Sequence, residues 1–219
     1  MGTITRTFAN NITTSGVFKP TAFNNASFDN VTAVPEGAVE GGNMVLLSTQ
    51  TASASASISF TSGIDSTYKE YMFIFNNIHP STDNVNFTFN MSTDNGSNYN
   101  VTKTTTFVRA YHSENGAESA LNYETGQDLA QSTSYQNISY VIGNDNDQST
   151  SGYLHLFEPS SNTFVKHFIS RMNASYSGDF TFDQYIAGYG NTTSAINAID
   201  FKMASGNIDA GTIQMFGIL

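Results

Sequence analysis

The chain has 219 residues, a mass of 23.7 kDa, a formal net charge of −10 and no cysteine. That charge carries no basic stripe for nucleic acid and would be repelled by an anionic membrane surface. The missing thiols exclude disulfides, thiolate metal sites and cysteine nucleophiles.

Only 12% of the residues are charged, against an ordinary share of about 25%. Roughly a third are Ser, Thr or Asn, well above common usage. Thr suits strands, Asn and Ser suit turns, and the charged residues and Ala that cover helix surfaces are scarce. The start, Met1 to Phe8, shows no apolar h-region, and Arg6 stands where a myristoylation motif wants Ser or Thr. No apolar run is long enough to span a bilayer. Synthesis without an export signal, joined to an exterior-type surface, suits a component of a virus particle.

Residues 1–43 are rich in Asn, Thr and Gly and poor in periodicity, ending in a Pro35–Gly42 loop. Phe18, Phe23 and Phe28 recur every five residues, a spacing that cannot hold one face of a strand. Three readings stand: an N-terminal arm whose Phe side chains anchor it in pockets of a neighbouring subunit, a short pentapeptide-type solenoid, or a flexible terminus with incidental Phe.

Residues 44–219 read as one all-β domain. Strands are expected near 44–50, 54–61, 69–78, 85–92, 99–111, 134–142, 151–158, 164–172, 179–189, 196–204 and 211–218. Ala52–Ser57 alternates Ala and Ser, small side chains suited to close approach of another layer or subunit. Val85–Met91 alternates apolar and polar without a fault, as a strand with one dry and one wet side would. Ser92–Asn98 reads as a hairpin loop around Asn95-Gly96, and Gly143–Asp147 and Ser205–Gly211 read as two more. Residues 112–133 admit a long loop, a short strand at 120–124 or a helical turn at 126–131. From Phe164 the alternation places Phe164, Lys166, Phe168, Ser170 and Met172 on one side and Val165, His167, Ile169 and Arg171 on the other. Ten or eleven such strands bury their dry faces as a two-sheet antiparallel sandwich, and a jelly roll is expected, with a closed barrel as the alternative.

Signals for chemistry are sparse. His155 and His167 lie on adjacent expected strands, but no further ligands at metal-site spacing accompany them. No G-x-S-x-G elbow occurs. Glu114, Glu118 and Glu124 gather in the uncertain stretch, and Asp179 and Asp183 share a strand; such carboxylates could serve glycoside hydrolysis, yet at loops and strand edges they ordinarily serve solvation. Asp145 and Asp147 offer hard oxygens for a cation, without the Gly and late Glu of an EF-hand loop. The N-x-[ST] triplets are expected by chance in so Asn-, Ser- and Thr-rich a chain, and no glycosylation is read from them. No enzyme activity, cofactor or metal is expected.

Leu46–Phe60, Gly63–Tyr71, Asn77-Ile78-His79-Pro80, the Ser92–Tyr99 loop and the close from Phe201 to Ile218 resemble virion proteins of marine tailed bacteriophages. The resemblance covers residues 44–219, and Phe216 stands where such proteins often have Tyr. It implies a structural protein, either a tail-fibre or adhesin subunit or a capsid decoration protein, and brings no catalytic residues. By analogy a homotrimer is expected, with other virion proteins as partners. An adhesin would meet host-surface polysaccharide through aromatic faces, for which Tyr99, Tyr111 and Tyr123 are the candidates.

Overall fold

A computed structural model of the chain describes residues 44–219, which carry twelve strands and, among the described residues, no helix. In chain order these are β1 (Met44–Thr51), β2 (Ile58–Phe60), β3 (Glu70–Pro80), β4 (Val85–Ser92), β5 (Lys103–Ser113), β6 (Ser119–Tyr123), β7 (Gln136–Ile142), β8 (Thr150–Phe157), β9 (Lys166–Tyr176), β10 (Phe180–Gly190), β11 (Ala198–Met203) and β12 (Ile208–Ile218). They form two antiparallel sheets, one of eight strands in the order β1-β12-β3-β8-β9-β10-β5-β6 and one of four in the order β2-β11-β4-β7.

That order is a jelly roll. β1 pairs with β12, β2 with β11, β3 with β8 and β4 with β7. The pairs are nested, as when one long hairpin is wound up so that alternate rungs fall in opposite sheets. The contacts β12–β3 and β11–β4 close each half of the roll. Two insertions enlarge it. The β5–β6 and β9–β10 hairpins both join the larger sheet beyond β8, so that sheet overhangs the smaller one.

Between the sheets lies an apolar core. Phe201 on β11 sits at its centre, with the rings of Phe60, Phe73, Phe75, Phe87 and Phe89 at centroid distances of 5.1–6.4 Å. Each fully buried Phe contributes about 1.5–3 kcal/mol, which lets the core hold without covalent staples of the usual kind.

Several expectations are corrected. The three presumed hairpin loops are corners: Ser92–Asn98 leads from β4 to β5, Gly143–Asp147 from β7 to β8, and Ser205–Gly211 from β11 to β12, each from the smaller sheet to the larger. Asn95 and Gly96 do adopt positive φ, at 57° and 83°; this reverses the chain whether or not the flanking strands bond to each other. The strand expected at 54–61 shrinks to Ile58–Phe60, because the Ala-Ser run makes another corner. It hydrogen-bonds along the start of β12 and turns at Ala54, φ 48°. The strand beginning at Phe164 begins instead at Lys166, leaving Phe164 66% exposed. Of the readings for 112–133, the short strand is realised, as β6.

The supposed wet side of β4 is also dry. Thr88, Asn90 and Ser92 are buried along with Phe87, Phe89 and Met91. Segments before β5 and before β7 lie over this side and satisfy it: Asn90 donates to the carbonyls of Tyr99 and Thr133 at 2.6 and 2.9 Å. Asp200 on β11, opposite Asn90 in register, accepts from Ser59 Oγ at 2.5 Å and from Tyr135 OH at 3.0 Å. Buried polar groups are tolerable only when so partnered.

Candidate ligand-binding face

The outer face of the eight-stranded sheet carries rings where a solvated sheet usually carries charges. On β9 the inward set is Lys166, Phe168, Ser170, Met172 and Ala174, so His167, Ile169, Arg171 and Asn173 face out. Register then fixes their neighbours. Tyr153 of β8 and Tyr185 of β10 lie directly opposite Arg171, one on each side. The two tyrosines are therefore two strand spacings apart, about 10 Å. They are 37% and 43% exposed.

Between them Arg171 is held flat. Its Nε and Nη2 donate to the two carboxylate oxygens of Asp183 at 3.0 and 2.8 Å, and its guanidinium lies 4.8 Å from the centre of the Tyr185 ring. Tyr185 OH also donates to Asp183 Oδ2, at 3.0 Å. The Arg171 hydrogen bonds hold the Asp183 carboxyl below its usual range, and the bond to Asp183 holds the Tyr185 hydroxyl above its own. At neutral pH the cluster is a fixed array of donors and acceptors flanked by aromatic faces.

Beside it runs a groove of about 490 Å3, lined chiefly by Phe157, His167, Ile169, Tyr189, Thr104 and Thr106 and almost wholly apolar. Its volume falls within the range of small-ligand sites, about 300–1,000 Å3.

A second, smaller cavity of about 170 Å3 opens on the inner side of the same sheet, at the overhang. There Arg109 pairs with Glu124 at 2.7 Å and lies 4.6–5.1 Å from the ring centres of Tyr111, Tyr140 and Phe182. The planar guanidinium fills this box as a side chain of the fold.

The tyrosines expected from sequence to meet a ligand are not brought together. Tyr111 stands in the Arg109 box, edge-on to Phe180 and Phe182. Half-buried Tyr99 contributes a carbonyl to Asn90 and packs its ring at the Gly96 corner. Tyr123 alone reaches the outer face, opposite Val108 at the sheet edge, and donates to Asp128 at 2.6 Å. Alternation within 151–158 and 179–189 can set Tyr153 and Tyr185 on one face of their strands, but only strand pairing reveals that they flank one arginine. Phe18, Phe23 and Phe28 lie outside the described residues.

His155 and His167 do share the outer face on adjacent strands. His155 Nε2 lies 2.9 Å from Glu70 Oε2, with no other partner among the described residues, and its ring lies 4.1 Å from that of Phe157. Of the expected carboxylates, Glu114, Glu118 and Asp179 line one cavity of about 460 Å3 where the turn after β5 meets the turn before β10, whereas Glu124 and Asp183 serve arginines on opposite sides of the sheet. No cluster of three or more His, Asp or Glu able to hold a metal occurs among the described residues, the Asp145–Asp147 turn included. No protein-family model, curated protein or solved structure matches the chain.

Proposed function

We propose that the protein is a non-enzymatic surface component of a tailed-phage particle, a tail-fibre or adhesin subunit. On this reading residues 1–43 fasten it to the virion, and the outer face of the larger sheet meets host-surface glycan. The observation that carries the reading is the pair of exposed rings, Tyr153 and Tyr185, set on either side of the Arg171–Asp183 pair. A sugar ring offers an apolar C–H face to an aromatic side chain and a rim of hydroxyls to fixed donors and acceptors. The roughly 10 Å between the tyrosines suits adjacent residues of an extended oligosaccharide. Arg171 is already neutralised and the chain carries a net charge of −10, so the ligand class is a neutral rather than a polyanionic glycan.

A glycan array followed by titration calorimetry tests this. Saturable binding is expected, weakened at least tenfold in Tyr153→Ala/Tyr185→Ala with the thermal midpoint unchanged. Binding that ignores both substitutions would remove the site.

A capsid decoration protein is the second reading, favoured by another row of the same face. Leu46, Phe216, Met72, His155, Ile169 and Ala187 follow one another across six strands, an apolar strip of the kind that docks on other proteins. Copy number decides between the two: hundreds per particle means shell, a few tens or fewer means tail. On either reading a homotrimer is proposed, by analogy with other particle proteins on threefold axes, and light scattering on the purified chain tests it.

A further inference from the structure

Two lysines, Lys103 and Lys166, are fully buried at one end of the larger sheet, flanking Gly190 in register. Their surroundings differ. Lys166 Nζ donates to three main-chain carbonyls, of Ser161, Phe164 and Thr192, and so works as a tie for the loops around it. Lys103 Nζ has one such carbonyl, that of Val101 at 2.7 Å, and otherwise contacts a side-chain amide, Asn90 Oδ1, at 2.5 Å. Among the described residues, no carboxylate hydrogen-bonds to it.

The amide is held in a definite orientation. Asn90 Oδ1 accepts from Met91 N–H at 2.9 Å as well as from Lys103. Asn90 Nδ2 donates to the carbonyls of Tyr99 and Thr133. Its oxygen is thus polarised by two donors, its nitrogen is held by two acceptors, and an amine stands against it in a site closed to water. Directly across from Asn90, on the same face of the neighbouring strand, is the nine-tenths-buried Asp200.

We propose that Lys103 and Asn90 join autocatalytically in an intramolecular isopeptide bond. The neutral Nζ attacks Asn90 Cγ and a C–N bond forms. The Met91 N–H holds the oxyanion of the tetrahedral intermediate, which is the role of a preorganised donor. The Cγ–Nδ2 bond breaks, and Nδ2 departs as ammonia carrying one proton that began on Nζ. One amide and one amine become one substituted amide and ammonia, with no change of oxidation state. Burial draws the Lys103 amine down to about 7, so a substantial fraction is unprotonated near neutrality. The Asp200 carboxylate opposite Asn90 accepts from Ser59 and Tyr135 and takes no part in the step. The bond would tie β4 of the smaller sheet to β5 of the larger, giving a cysteine-free chain a covalent link between its layers.

Tryptic digestion and tandem mass spectrometry of the purified full chain test this. Cleavage sites fall after Lys69, Lys103 and Arg109. The expected product is an uncut 70–109 peptide lighter than its sequence by one ammonia, with fragment ions missing between Asn90 and Lys103. Separate 70–103 and 104–109 peptides of full mass, from protein held for days near pH 8, would overturn the proposal. Lys103→Arg and Asn90→Ala should each restore the full mass, and loss of ammonia that persists in either would equally overturn it.

Discussion

Phe201 touches rings from β2, β3 and β4, so truncating it opens a cavity that no one neighbour can fill. Phe201→Ala is expected to cost about 3–5 kcal/mol, a large part of the roughly 5–15 kcal/mol that holds a domain of this kind. Urea unfolding followed by circular dichroism measures it, and a loss below about 1 kcal/mol would contradict the central placement of that ring. Asp94 makes a different kind of contribution. Hydrogen bonds from Ser92 Oγ first, and then from the Asn98 side chain and main chain, lower its carboxyl from 3.8 to about 2. A carboxylate lowered by folding lends stability that is complete above the unfolded value and fades as pH falls through the folded one. The urea midpoint should therefore drop between about pH 4 and pH 2, less steeply in Asp94→Asn. An identical pH slope in that variant would rule out the contribution. Lys103 marks what a single residue hides: within Thr102-Lys103-Thr104 it reads as a solvated position, and nothing local discloses that it is buried.

Among elements, β9 and β10 were the most readable. Their alternation survives intact, with Phe168, Met172, Phe182 and Ile186 inward and Ile169, Arg171 and Tyr185 outward. β4 alternates as cleanly and misleads, because what covers Asn90 comes from Thr133, more than forty residues away. Period two reports that faces differ, not that either one is wet. The corners misled for a related reason: Asn-Gly chemistry fixes a reversal of direction and says nothing about which sheet receives the next strand. The Arg171–Asp183 bridge between β9 and β10 separates stability from binding. Both side chains are substantially exposed, so Arg171→Ala should cost less than about 1 kcal/mol in the fold. The same variant should lose most of its glycan affinity, which calorimetry beside a thermal melt resolves. A large fall in thermal midpoint would mean that the pair serves the sheet instead.

For the molecule as a whole, strand content and sandwich class were legible from composition and periodicity, since few charges and many Ser, Thr and Phe leave little else to build. The nested pairing was not, because it depends on contacts as distant as Met44 with Ile218. The candidate face was hidden for the same reason: it is assembled from β8, β9 and β10, and only their register sets the tyrosines around Arg171. The role given to residues 1–43 belongs at this scale. A chain lacking them should keep the thermal midpoint and the glycan affinity of the full protein while failing to enter particles assembled in its presence. Normal incorporation of the truncated chain would end the anchoring role.

The pairing of β1 with β12 also governs how the roll meets mechanical load. Met44 faces Ile218 across the first rung of an antiparallel ladder. Traction applied between those two points strains one hydrogen-bonded rung at a time, so β1 peels away at low force. Traction entering at Met44 but resisted at Tyr153 must cross the β1–β12, β12–β3 and β3–β8 ladders, in which many rungs share the strain. A chain held at Met44 and at its broad outer face is thus loaded in the stronger direction.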